Sequence, residues 1–332
     1  MLRFVLLGDG AWAARSLHRL VQEGHLPVGV VVRTHPSTSE LADAALSLGA
    51  PLLAPAKVND PPIVERIRSL GPDLGISIAY NQILRFPLLE VPPHGFLNFH
   101  AGKLPNYRGR NIVNWALLNG ESEIGVTAHF VDEGIDTGDI VLQKTLAVGW
   151  TETYGDLLGR IVALMPDLVS EAVALVADGR AERRPQAHVA ATYFAGREEG
   201  DEWLDWRESS VVLHNKVRAI TRPGPGARTV MGDIPVVVWS AYFDPSWPRY
   251  LATPGQVVGR ISGEGVLVKS GDSHLLLKEV QVGDGPAAVP AWPIGTRLGV
   301  DPVSTLPALL QRLRSLEERL AEALRNHERG RP

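Results

Sequence analysis

Leu2-Arg-Phe-Val-Leu-Leu7-Gly8-Asp9-Gly10-Ala11-Trp12-Ala13 opens the chain with an apolar run, a glycine turn and a helix-like stretch. A near-continuous apolar run of this length fits a strand covered on both faces, as in the middle of a parallel sheet. The glycines supply the tight turn that leads into a helix over 11–23. Outward from this unit the pattern repeats. A second strand is expected at 28–32, a helix at 40–48 closed by Gly49, and a helix at 61–69 with Gly71 just past its end. Strands follow at 74–78 and 95–99, then a long helix from about 111, a hairpin of 126–130 with 140–146, and a helix over 156–177 ended by Asp178-Gly179. Alternation of this kind predicts an α/β domain with a mostly parallel sheet.

From about residue 200 the texture changes to short apolar runs at 236–239, 255–258, 266–269 and 275–280, separated by Pro/Gly turns. That spacing suggests a second, small β-barrel or sandwich domain. Residues 200–300 hold ten Lys/Arg and ten Asp/Glu, so this part is neutral. Beyond it, Leu306, Leu309, Leu313, Leu316 and Leu320 alternate spacings of three and four, the seam of a coiled coil. Such a helix either packs on its own domain or joins two copies, and a homodimer is the expectation carried forward. The 332 residues contain no cysteine, which excludes disulfides and a cysteine nucleophile. The apolar runs fall well short of the ~20 residues a spanning helix needs, and Gly8-Asp9-Gly10 interrupts the first before a signal peptide forms. A cytoplasmic protein is expected, with no membrane partner. A net charge of −4 argues against a nucleic-acid grip.

Candidate chemistry concentrates between residues 95 and 143. In Gly95-Phe-Leu-Asn98-Phe-His100, Asn98 and His100 are two apart on a strand and share a face. Asp136 follows in Asp132-Glu-Gly-Ile-Asp136-Thr137-Gly138-Asp-Ile140, a stretch rich in turn formers that can lean over the strand end. A carboxylate that orients an imidazole, with an amide and an imidazole facing an oxygen that gains charge, suits acyl transfer and needs no metal. Gly8-x-Gly10-x-x-Ala13 fits a dinucleotide fingerprint loosely, but Arg33 stands where an acidic residue would hold the ribose. An NADP-dependent oxidoreductase is therefore the alternative from another class.

The string Asn98-Phe-His100-Ala-Gly-Lys103-Leu-Pro-Asn-Tyr107-Arg108-Gly109, then Trp115-Ala-Leu-Leu-Asn-Gly120, Gly125-Val-Thr-Ala-His129 and Asp136-Thr-Gly138-Asp-Ile140, resembles the folate-dependent formyltransferases. It is similar in order and spacing to the methionyl-tRNA formyltransferases and the nucleotide-sugar N-formyltransferases. The resemblance, which runs to about residue 300, implies a Rossmann-like domain over 1–190, a linker over 191–210 and an OB-like β-barrel over 211–300, and the leucine spacing adds a C-terminal helix over 301–332. The resemblance also implies N10-formyltetrahydrofolate as co-substrate and Asn98, His100 and Asp136 as the catalytic trio. By the same likeness the pterin is expected beside Tyr80, Gln82, Ile83 and Leu84, with Thr137, Gly138 and Ile140 closing the other side.

For the acceptor, two departures from the tRNA enzymes weigh: Gly102-Lys103-Leu-Pro stands for their Ser-Leu-Leu-Pro, and His35-Pro-Ser-Thr-Ser-Glu-Leu replaces their basic insertion. These point to a small amine, above all a dideoxy amino sugar on a nucleoside diphosphate. Gly10 and Trp12 would cover it, and Lys103, Arg108 and Arg110 would meet its phosphates. Methionyl-tRNA and another small amine such as hydroxyornithine are the alternatives within the class.

Overall fold

The computed structural model describes residues 1–33, 40–299 and 310–320. The segment that stands for a basic insertion, together with Leu306 and Leu309, lies at least partly outside the described residues. Two compact units emerge, one of Met1–Glu202 with Asn215–Gly226, the other of Trp203–His214 with Ala227–Pro332. The stretch expected as a linker, 191–210, is thus shared between them.

The first unit holds β1 (Arg3–Gly8), α1 (Gly10–Gln22), β2 (Leu26–Val31), α2 (Glu40–Ser47), β3 (Leu52–Leu53), α3 (Pro61–Leu70), β4 (Leu74–Ile78) and β5 (Phe96–His100). It continues with β6 (Arg108–Gly109), α4 (Ile112–Leu118), β7 (Glu123–Phe130), β8 (Ile140–Ala147), α5 (Tyr154–Ala177) and β9 (Tyr193–Phe194). Seven strands form one sheet in the order β3-β2-β1-β4-β5-β7-β8. The first five are parallel, whereas β7 runs antiparallel to β5 and β8 to β7. Alternate residues of β1 serve opposite faces: Phe4 and Leu6 join the core with α1 and α5, while Val5 and Leu7 pack with Val64 and Ile67 of α3. Burial on both faces accounts for the apolar run that opens the chain. A side chain on Gly8 would come within 2.7 Å of the Ile78 carbonyl, so its turn has a steric reason independent of any nucleotide.

Helix ends follow local chemistry. Asp9 caps α1 through Gly10 N–H, Thr153 and Asp156 form a reciprocal capping box on α5, and Gly71 ends α3 in the left-handed region at φ 62°. The helix expected to be long after residue 111 is the seven-residue α4, stopped at Asn119-Gly120.

α6 (Ser210–Ile220) precedes β10 (Ala227–Met231), β11 (Ile234–Tyr242), β12 (Val257–Ile261), β13 (Gly265–Lys269), β14 (His274–Val282) and β15 (Ala287–Ala288). Sequence periodicity missed both α6 and β10. The second unit's antiparallel sheet has the order β10-β11-β14-β13-β12, with β15 against β14. At the C-terminal end, residues 310–320 are helical and exposed throughout, Leu313, Leu316 and Leu320 included.

Candidate active site

β5 places the first two candidate side chains. Leu97 and Phe99 face the α1/α5 core, Phe96 faces the α3 core, and the alternation puts Asn98 and His100 on the Phe96 side. β7 pairs with β5 so that His129 stands opposite Asn98 and Thr127 opposite His100. Asp136 reaches this face from the β7–β8 loop. The turn is tied by Asp132, which accepts from Gly134 N–H and from the Thr137 hydroxyl.

The three side chains meet. Asp136 Oδ2 lies 3.5 Å from His100 Nδ1 and accepts from Gly109 N–H at 2.8 Å, and its Oδ1 accepts from Asn98 Nδ2 at 3.4 Å. His129 Nε2 lies 3.5 Å from the same Oδ1 and 3.2 Å from Asn98 Nδ2. Carbonyls fix both rings: Tyr107 O faces His100 Nε2 at 2.6 Å, and Phe130 O faces His129 Nδ1 at 2.8 Å. A carbonyl only accepts, so those nitrogens donate, which leaves His100 Nδ1 and His129 Nε2 toward Asp136. Burial alone would push the Asp136 carboxyl up; the charge of His100, then the bond and charge of His129 and the Gly109 N–H, outweigh it and hold the group well below the usual carboxylate range.

The backbone carries strain here. Among the described residues only Ala79, Tyr107, Asn111 and Asp136 are non-glycine residues at positive φ, all between 54° and 60°, and all surround this site. Gly109 has φ 104°, and a Cβ there would come within 2.1 Å of the Phe194 carbonyl, so only glycine brings its N–H to Asp136.

Two cavities meet at the trio. The larger, about 880 Å³, is lined by Gly10, Trp12, Arg33, His100, Arg110 and Arg197 among others. The smaller, about 280 Å³, is lined by Ser77, Gln82, Ile83, Leu84, His129 and Ile135 among others. Tyr80, Asn81, Asn98, Gly109, Arg110 and Asp136 line both.

Of the residues expected at the pterin, Tyr80, Gln82, Ile83 and Leu84 line the smaller cavity, and Thr137, Gly138 and Ile140 do not. Those three build the loop: Thr137 bonds Asp132, the Gly138 carbonyl accepts from Gln186 Nε2 at 2.7 Å, and Ile140 is buried opposite His129. On the acceptor side Gly10, Trp12 and Arg110 line the larger cavity. Lys103 instead pairs with Glu123 on the surface. Arg108, wholly buried, donates to Gln186 Oε1 at 3.1 and 2.5 Å and to the Tyr193 hydroxyl at 2.5 Å. A guanidinium satisfied in this way holds structure together rather than a phosphate.

Two contributors escaped the sequence reading. His129 had a signal, because Thr127 and His129 repeat the two-residue spacing of Asn98 and His100 on a strand expected to lie nearby. Gln186 had none: its Nε2 donates to the Asp136 and Gly138 carbonyls at 2.9 and 2.7 Å from 50 and 48 residues away.

Comparison with known proteins agrees with this geometry. The formyl transferase family model matches residues 2–173, and the formyl transferase C-terminal domain model matches 198–292. A methionyl-tRNA formyltransferase of Symbiobacterium thermophilum is 36% identical over 289 residues, covering 85% of this chain and 88% of that protein. One from Chloroflexus aggregans is 36% identical over 305 residues, with 89% and 97% covered. Among solved structures, the N-formyltransferase of Helicobacter canadensis, in complex with folinic acid and dTDP-3-aminofucose, aligns with a TM-score of 0.65 at 18% identity over 84% of this chain and 99% of that one. At that identity the likeness shows the fold.

These relatives correct the acceptor expected from sequence. The nucleotide-linked amino sugar and the low weight given to nucleic acid rested on a neutral second domain and an absent basic cluster, yet the relatives similar over most of their length are tRNA enzymes. A domain's summed charge says nothing about a local patch, which is what meets RNA. Family models over both halves of the chain and the assembled amide, imidazole and carboxylate make this chain a member of the formyl transferase family and a formyltransferase.

Proposed function

We propose that this protein transfers a formyl group from N10-formyltetrahydrofolate to the α-amine of methionyl-tRNA. The observation that carries the acceptor is the similarity over most of both chains to methionyl-tRNA formyltransferases. The family's donor, N10-formyltetrahydrofolate, supplies an electrophilic formyl carbon. The smaller cavity fits its flat head. Ile83 and Ile135 leave about half their surface exposed beside it, and the Tyr80 hydroxyl is buried without a partner. An unsatisfied buried hydroxyl is what a ligand's polar edge would complete.

The trio's roles follow from its contacts. The Asn98 amide, whose bond to Asp136 is long at 3.4 Å, offers an N–H to the formyl oxygen as the amine attacks and that oxygen gains charge, beside the His100 ring held between Tyr107 O and Asp136. Asp136, kept ionised by its neighbours, orients His100 and takes up the proton that the amine must lose. Once the new C–N bond forms, the bond to the donor nitrogen breaks and that nitrogen receives the proton. This reading places the protein in the cytosol, and light scattering with and without residues 301–332 tests the homodimer.

The direct test incubates purified protein with N10-formyltetrahydrofolate and methionyl initiator tRNA, scoring the released methionine by mass for addition of CO. Formylated methionine is the expected product. Unmodified methionine at enzyme concentrations sufficient to bind the tRNA would overturn the acceptor.

A further inference from the structure

Three arginines line the larger cavity, and the formyl-transfer chemistry uses none of them. Arg33 follows β2, Arg110 leads into α4 and Arg197 follows β9. Among the described residues Asp136 is the only carboxylate lining the same cavity, so the described wall is cationic. Each arginine is anchored from behind. Arg33 Nη1 lies 3.2 Å from Asp9 Oδ2 and its Nη2 donates to the Ala79 carbonyl at 2.6 Å. The Arg110 backbone N–H donates to Phe194 O, and that of Arg197 to Asn111 Oδ1, both at 3.0 Å.

Their charges are incompletely used. Arg33 Nε and Arg197 Nε are buried with no hydrogen-bond partner, and among the described residues neither Arg110 nor Arg197 has an ion pair. A guanidinium presents a planar fork of donors that matches a phosphate, and a buried donor without an acceptor calls for one. The cavity's 880 Å³ is of the size that takes an aminoacyl nucleotide.

We propose that Arg33, Arg110 and Arg197 form a clamp for the phosphodiester that precedes the terminal adenosine of the acceptor RNA. This rests on methionyl-tRNA being the acceptor. Such a clamp fixes where the amine arrives relative to Asn98, His100 and Asp136, and it reads no base. It explains how a chain with −4 net charge holds an RNA end at its active site: the cationic groups are concentrated where the acceptor enters.

The test compares 3′-O-methionyl-adenosine with its 5′-monophosphate as minimal acceptors, in wild type, R110A, the R110A/R197A double variant and R110K. Wild type should show kcat/KM at least about tenfold higher for the phosphorylated acceptor. The double variant should bring the ratio near one, and R110K should restore part of it, charge without the fork. An equal ratio in wild type, or one unchanged in the double variant, overturns the clamp. If neither acceptor is formylated, calorimetric titration with adenosine and adenosine 5′-monophosphate decides independently. A preference for the monophosphate that the double variant loses upholds the clamp while the methionyl acceptor falls, and equal binding by wild type overturns the clamp itself.

Discussion

The two cavities that meet at Asp136 are built by different means. The smaller sets apolar Ile83, Leu84, Val131 and Ile135 among polar Gln82, His129 and Asp132, and its Ile83–Leu84 loop is tied down by Asn59, whose side chain donates to the Ile83 carbonyl at 2.8 Å and accepts from Arg85 N–H at 2.9 Å. The larger has a cationic rim and the open edge of Trp12. In the proposed reaction the smaller takes the flat donor against its exposed isoleucines, and the larger gathers the charged acceptor by field. Between them stands a shared wall of Tyr80, Asn81, Asn98, Gly109, Arg110 and Asp136, which line both, and in the proposed reaction the formyl group crosses there.

The sharpest way to break that comparison is Asp136→Asn. The wall residue acts on the reacting atoms, so kcat should fall by about 10²-fold or more with KM for both substrates little changed. A large rise in either KM in steady-state kinetics would assign Asp136 to one cavity instead of the wall between them. His129→Phe comes next, with a loss of about tenfold in kcat and a change in pH dependence. The Asp136 carboxyl is held low, so its contribution to activity and to folding is present above the ordinary carboxylate range and is lost only as pH falls below about 4. Removing the His129 ring takes away an interaction that favours the ionised form, so the carboxyl rises and the acid limb of kcat/KM shifts upward. A profile superimposable on wild type would mean that His129 only fills space. The smallest effect is expected from Ile83→Ser, about a threefold rise in KM for the folate from lost apolar contact, with KM for the acceptor unaltered. Equal rises in both would erase the distinction between the two sides.

Sequence made much of the first unit legible because β1, β2 and β4 are buried along most of their length and are mainly apolar on both faces. It also exposed the trio, since a two-residue spacing on a strand and an acid in a turn are local patterns. What it hid was non-local or ambiguous. Helix α6 begins Ser210-Val-Val, and β-branched residues at its start weaken the local helix signal, so no element was expected there. The buried Arg108 looked like a phosphate ligand because its acceptors, Gln186 and Tyr193, lie 78 and 85 residues away. Lys103 misled for the opposite reason: proximity in sequence to His100 does not bring its side chain off the surface, where Glu123 holds it. The acceptor was misjudged in part by summing charge over a domain, a sum that leaves three arginines lining one cavity unseen.

Gln186 joins the catalytic loop to a stretch of chain that follows α5. It bonds the carbonyls of Asp136 and Gly138 and receives the Arg108 guanidinium, while Arg108 in turn holds Tyr193. The family match that contains this site ends at residue 173. A chain cut there would keep Asn98, His100 and Asp136, leave the buried Arg108 without its acceptors and release the turn that carries Asp136. The compact unit that holds this site is therefore longer than that match: it runs past the strand at Tyr193–Phe194 and takes in Asn215–Gly226.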